Sequence, residues 1–200
     1  KDRYGGTITK TSSKSLTMAT FSQSSLDNGS NCSLAAITRV LYYYNKNGYT
    51  KISNDYKTIY SKVKKIAKKY GYTSRDGISA TKINNVVNDV LKDYGYSKSN
   101  CKGIYVWNFK NQVKKEIDNN RPVIMNIARG YYGNHTVTVC GYAIYKRSSK
   151  KSKISSNKTY NMIQVYDGWT TYKRFIDYSA FAYDLVTSGF GSFNTVTMKK

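Results

Sequence analysis

The chain has 200 residues, 14 % of them aromatic, with 21 tyrosines and a single proline, which allows one folded domain with a real core and excludes a disordered chain. Lys and Arg outnumber Asp and Glu by 33 to 11, a formal charge of +22 that points to polyanions as neighbours. No apolar run is long enough to span a membrane, and no zinc-finger, RNA-binding or basic-zipper pattern makes nucleic acid a specific partner.

Residues 1–29 are rich in Ser, Thr and Gly and are expected to form an N-terminal arm over the surface, with a short strand at 6–11. Beginning at Lys1, without an initiator Met or a signal segment, the chain reads as the trimmed form of a secreted protein. Residues 30–120 read as a mainly helical half. Asp27-Asn28-Gly29-Ser30-Asn31 offers turn and cap residues before a mostly apolar helix at 30–44, with Leu34, Ile37, Leu41 and Tyr44 at helical spacing. A helix apolar nearly all round belongs at the centre of a domain. Residues 55–70 are amphipathic, with Ile59, Val63, Ile66 and Tyr70 opposite lysines, and 79–94 carry a second stripe from Ile83 to Leu91. A strand at 103–107 and a helix at 108–119 close this half at Arg121-Pro122.

Residues 121–200 read as a mainly antiparallel sheet. Strands are expected at 123–128, 135–145, 160–166, 172–178 and 193–198, with 146–158 as a basic loop. Helices first and sheet second, without a linker, predict a single α+β domain over 1–200.

Cys32 opens the central helix, where free N–H groups and the helix dipole favour a thiolate. An unpaired cysteine is most often only a small buried residue. The one histidine, His135, argues otherwise. It stands at the start of a strand, on the face that a period of two shares with Val137, Val139 and Gly141, beside a glycine-containing loop. Asp167, in Val165-Tyr166-Asp167-Gly168-Trp169, is a turn residue whose carboxylate can also aim the imidazole. A thiol needs a base and the base needs an orienter, which makes Cys32 the nucleophile, His135 the base and then the acid, and Asp167 the orienter. Three cysteines leave at least one unpaired; a Cys101–Cys140 disulfide would free Cys32, but spacing does not decide it. With one histidine, no Cys-x-x-Cys and no phosphate loop, neither a metal nor a cofactor is expected.

The stretches Asn31-Cys32-Ser33-Leu34-Ala35-Ala36, Asn134-His135-Thr136-Val137-Thr138-Val139-Cys140-Gly141-Tyr142 and Val165-Tyr166-Asp167-Gly168-Trp169 resemble the motifs of papain-like cysteine peptidases. They are closest to the bacterial branch similar to bacteriocin leader peptidases. The resemblance spans residues 23–178 and implies a papain-like fold, with the central helix packed on the sheet and Cys32 facing His135 across a cleft. It also implies an oxyanion-hole glutamine shortly before the cysteine. Gln23 lies nine residues ahead, so 24–31 must loop back for it to serve, with Asn28 or Asn31 as substitutes. Ser33 stands where the family commonly has glycine. The expected function is a secreted bacterial cysteine peptidase acting on peptides or proteins, with anionic cell-wall polymers as a possible association. The alternatives are a cell-wall amidase or endopeptidase, or a transacylase, using the same Cys–His site, and a non-catalytic polyanion-binding or adhesion module.

Overall fold

The computed structural model describes residues 7–105, 108–148, 158–178 and 190–200. The architecture is α+β: helices gathered against one large antiparallel sheet. In chain order the elements are β1 (Thr7–Ser15), α1 (Cys32–Lys46), α2 (Tyr56–Lys68), α3 (Ile83–Asp93), β2 (Asn100–Ile104), α4 (Lys115–Asp118), β3 (Val123–Ala128), β4 (His135–Ser148), β5 (Lys158–Tyr166), β6 (Arg174–Asp177) and β7 (Phe190–Thr197). A π-helical turn, Phe109–Lys114, runs into α4.

Every side chain of α1 from Ser33 to Leu41 is buried, as an all-round apolar helix requires. Leu34, Ile37 and Leu41 are fully enclosed, and burial of each contributes roughly 1.5–3 kcal/mol. On the outer side α2 starts from an Asp55 cap, whose carboxylate accepts from the Lys57 and Thr58 N–H groups, and buries Ile59, Val63 and Ile66. Behind it α3 buries its stripe from Ile83 to Leu91. The inner side of α1 lies on β3 and β4.

The sheet runs β2-β7-β3-β4-β5-β6, with β1 paired to β4. β4 organises it. Its first half pairs with β3, from Ile127↔His135 to Val123↔Val139. Its second half pairs with β1, from Ser15↔Gly141 to Thr7↔Ser148, while β5 follows its other edge. At Cys140 the register with β5 steps from Val139↔Val165 to Gly141↔Gln164, a bulge that turns Gly141 to the face opposite Val139. The shared face of His135, Val137 and Val139 therefore stops before Gly141, contrary to a simple period of two. Only glycine fits at 141: a Cβ there would stand 2.5 Å from the Lys14 carbonyl oxygen and 2.6 Å from Gln164 Oε1.

Two strands depart from their expected bounds. β1 runs to Ser15, well past residue 11, and β2 begins at Asn100, before 103. Both are made by pairing with strands far along the chain, β1 with β4 and β2 with β7. The expected loop at 146–158 begins as the end of β4; residues 149–157 lie outside the described residues, as do Gly6, Val106 and Trp107. Cys101 on β2 and Cys140 on β4 are separated by β7 and β3, about 14 Å at the usual strand spacing. That is too far for a disulfide, and all three cysteines are free.

Candidate active site

The approach to α1 is locked from several sides. Gly29, at φ +103°, passes so close to Ser74 that a Cβ would meet its carbonyl oxygen at 2.4 Å. Ser30 donates from its N–H to the Ser74 oxygen at 2.8 Å and from Oγ to the Arg75 oxygen at 2.7 Å. Asn31 occupies the cap position, yet its side chain does not cap the helix. Its Nδ2 turns back and donates to the Gln23 oxygen at 2.9 Å and the Asp27 oxygen at 3.0 Å. The cap amide thus closes the 24–31 loop and leaves the first-turn N–H groups to whatever approaches Cys32.

The Cys32 thiol is half-buried. Burial pushes its pKa up, but a hydrogen bond to His135 and the ring's charge, helped by the Thr136 main chain and Ser33, hold it below the ordinary thiol range. His135 is buried at the head of β4, with Nε2 at 2.6 Å from the Asp167 main-chain oxygen. A carbonyl only accepts, so Nε2 carries the hydrogen and Nδ1 is left as the basic nitrogen. The ring stacks on Tyr132, 5.6 Å between centroids and 4° between planes, and packs on Trp169 at 4.5 Å.

Asp167 meets the imidazole with its backbone. Its carboxylate, 1 % exposed, shapes the following turn: Oδ1 accepts from the Trp169 and Thr170 N–H groups at 3.0 and 3.2 Å. Oδ2 forms an ion pair with Arg174 Nε at 2.7 Å. Gly168 follows at φ +81°, and its oxygen accepts the Gln23 N–H at 2.7 Å. Gln23's side chain fills the space a Gly168 Cβ would need, with Oε1 at 2.9 Å from it. Loop 24–31 does return Gln23 to the mouth of the helix.

Cys32 and His135 line a cleft of about 750 Å³; Gln23 and Asp167 stand outside that lining. Its floor is polar. Thr136 Oγ1 donates to Asn126 Oδ1 at 3.0 Å, so the 2.7 Å bond between Ser33 and Thr136 is donated by Ser33. Asn126 Nδ2 in turn donates to Ser192 Oγ and Asn194 Oδ1. Ser33 thereby ties the start of α1 to β4, a use that glycine at this position could not supply. Among the described residues no Lys or Arg lines the cleft, although the chain has 33 of them.

Several site residues were not singled out by sequence reasoning. In sequence Thr136 and Thr138 look like ordinary β-branched strand residues on the side of His-Thr-Val-Thr-Val opposite Val137 and Val139. Arg39 carried a signal: a charged residue inside an otherwise apolar helix. Trp169 ends the quoted Val165–Trp169 motif and Tyr132 lies just ahead of Asn134, but nothing in the sequence shows that they flank the ring.

Among the described residues no group of His, Cys, Asp and Glu is arranged to hold a metal ion, and no helix is long and apolar enough to cross a membrane. A comparison with curated proteins gives no significant match. The sequence matches the Peptidase_C39-like family over residues 15–184, a span that includes Cys32, His135 and Asp167. A cysteine at a helix mouth that lines one cleft with a histidine agrees with that match, and the chain belongs to the Peptidase_C39-like family, a cysteine peptidase.

Proposed function

We propose that the chain is a papain-like peptidase, secreted by a bacterium, that cleaves peptide bonds through a thioester on Cys32. The observation carrying this reading is that the Cys32 thiol at the start of α1 and the His135 ring, held from behind by the Asp167 main-chain oxygen, line one cleft. Nδ1 of His135 takes the thiol proton, and the thiolate attacks the scissile carbonyl carbon. The oxyanion is received by the Cys32 N–H and the Gln23 side-chain amide, each donor worth about 3 kcal/mol of barrier. The tetrahedral intermediate collapses, the C–N bond breaks, and Nδ1–H protonates the leaving amine. Water then gives a proton to Nδ1 as its oxygen attacks the thioester carbon, the C–S bond breaks, the carboxylic acid departs, and Nδ1–H returns its proton to the Cys32 sulfur. Asp167 fixes the ring's tautomer and direction through its main-chain oxygen. The kinship with bacteriocin leader peptidases belongs to this proposal and rests on the short motifs around Cys32, His135 and Asp167.

The test is alkylation by iodoacetamide across pH. One adduct is expected at neutral pH, on Cys32, because burial pushes Cys101 up to about 12 and Cys140 up to about 11. A lowered pKa means that the thiolate persists to lower pH, so the midpoint should fall below that of the urea-unfolded chain. His135→Ala should move it upward, since burial then opposes ionisation almost unassisted, and Cys32→Ala should abolish peptide hydrolysis. Labelling of Cys32 at the rate of a free thiol, or hydrolysis surviving Cys32→Ala, overturns the reading.

A second reading, a cell-wall endopeptidase or amidase, is favoured by the contrast between a +22 molecule and a cleft without Lys or Arg. Anionic wall polymer would be held outside the cleft while the peptide enters it. Clearing of purified walls without casein cleavage would select it.

A further inference from the structure

Arg39 lies two turns beyond Cys32 on α1 and is 1 % exposed, the largest of the fully buried side chains. Its three hydrogen bonds all end on uncharged oxygens. Nε donates to the Ala19 oxygen at 3.0 Å, Nη2 to the Phe21 oxygen at 2.5 Å and Nη1 to Thr138 Oγ1 at 3.3 Å. The guanidinium also covers the Phe21 ring at 4.4 Å and lies 5.2 Å from the centroid of Tyr166. The nearby carboxylate, Asp167, has Arg174 for its ion pair. An apolar side chain would fill this place with no charge to desolvate, so the fork has another use.

The contacts identify that use. Ala19 and Phe21 belong to the segment that leads to Gln23, Tyr166 immediately precedes Asp167, and Thr138 is on the strand that begins at His135. Gln23 and Gly168 then close the circuit through their own hydrogen bond. We propose that Arg39 is a positioning residue: its guanidinium clamps the 19–21 segment onto the Cys32 helix and so fixes Gln23 for the oxyanion. This rests on the reading of Gln23 as an oxyanion donor. The planar fork reaches two carbonyls of one segment, which a lysine ammonium, a single point of charge, cannot do.

The experiment is a double-mutant cycle with Arg39→Lys and Gln23→Ala, read as kcat and KM on one peptide, with the Cys32 alkylation profile alongside. Arg39→Lys is expected to lower kcat at least tenfold, with KM within about twofold and the alkylation midpoint unchanged. Made in the Gln23→Ala background, it should cost less than about twofold more. Phe21→Leu, which removes only the ring beneath the guanidinium, should give the same pattern at smaller amplitude and carries the test if Arg39→Lys does not fold. Losses that multiply, or a Cys32 alkylation rate that falls in step with kcat, overturn the proposal. Full kcat in Arg39→Lys with a large loss in Gln23→Ala overturns the role of Arg39 alone. Unchanged kcat in Gln23→Ala overturns the oxyanion role of Gln23 and, with it, this route of action.

Discussion

Asp167 uses its main chain and its side chain for different tasks. The carbonyl oxygen accepts from His135, and the carboxylate builds the turn that aims that oxygen. Asp167→Asn keeps an oxygen for the Trp169 and Thr170 N–H groups and loses only the charge facing Arg174, a side chain one-third exposed. Arg174, on the exposed side of the pair, can turn its guanidinium to water once that charge is gone. We expect kcat/KM to fall less than tenfold in Asp167→Asn and far more in Asp167→Ala, where the turn loses its acceptor. Equal, thousandfold losses in both would show that the negative charge itself acts on the ring. At this scale the sequence was informative where a residue type is scarce: one histidine and three cysteines, with Cys32 at a helix start, left few pairings to consider. It was silent on which oxygen of Asp167 is used, because every residue has a carbonyl and no side-chain pattern marks the one that matters.

Helices were more legible than strands. The three-to-four spacing of apolar residues in α1, α2 and α3 reflects a buried stripe, and each was visible to within a few residues. β1 carries only a faint mark, being Thr, Ser and Lys around the exposed Ile8; its first half is expected as a strand, and it runs on to Ser15 because the free edge of β4 pairs with it. β2 likewise depends on β7, about a hundred residues later. The bulge at Cys140 was hidden because an inserted residue changes no composition; Gly141 was its one trace. Gly141→Ala places a methyl against the Lys14 carbonyl and Gln164, a misfit expected to cost roughly 1–3 kcal/mol. Urea unfolding should show that loss, with Cys32 alkylation of the folded protein unchanged. An unaltered midpoint in urea would mean that β1 shifts freely along β4.

Charge organises the molecule as a whole. Among the described residues its excess of cations is absent from the cleft lining, so an anionic polymer held by the surface need not obstruct a peptide in the cleft. Binding to a polyphosphate matrix should weaken at least tenfold between about 50 and 200 mM salt, as screening of many exposed lysines implies. Hydrolysis of a short neutral peptide should persist with the polymer bound; inhibition in proportion to occupancy would place the anion site in the cleft. The unbridged sulfurs have their own consequence. No covalent cross-link supports the fold, so a reductant removes nothing structural and serves only to keep one sulfur in its working state. With Cys32 as the nucleophile proposed above, a mild oxidant is expected to meet that atom before the two buried ones, turn it to a sulfenic acid and reversibly silence hydrolysis while the shape endures.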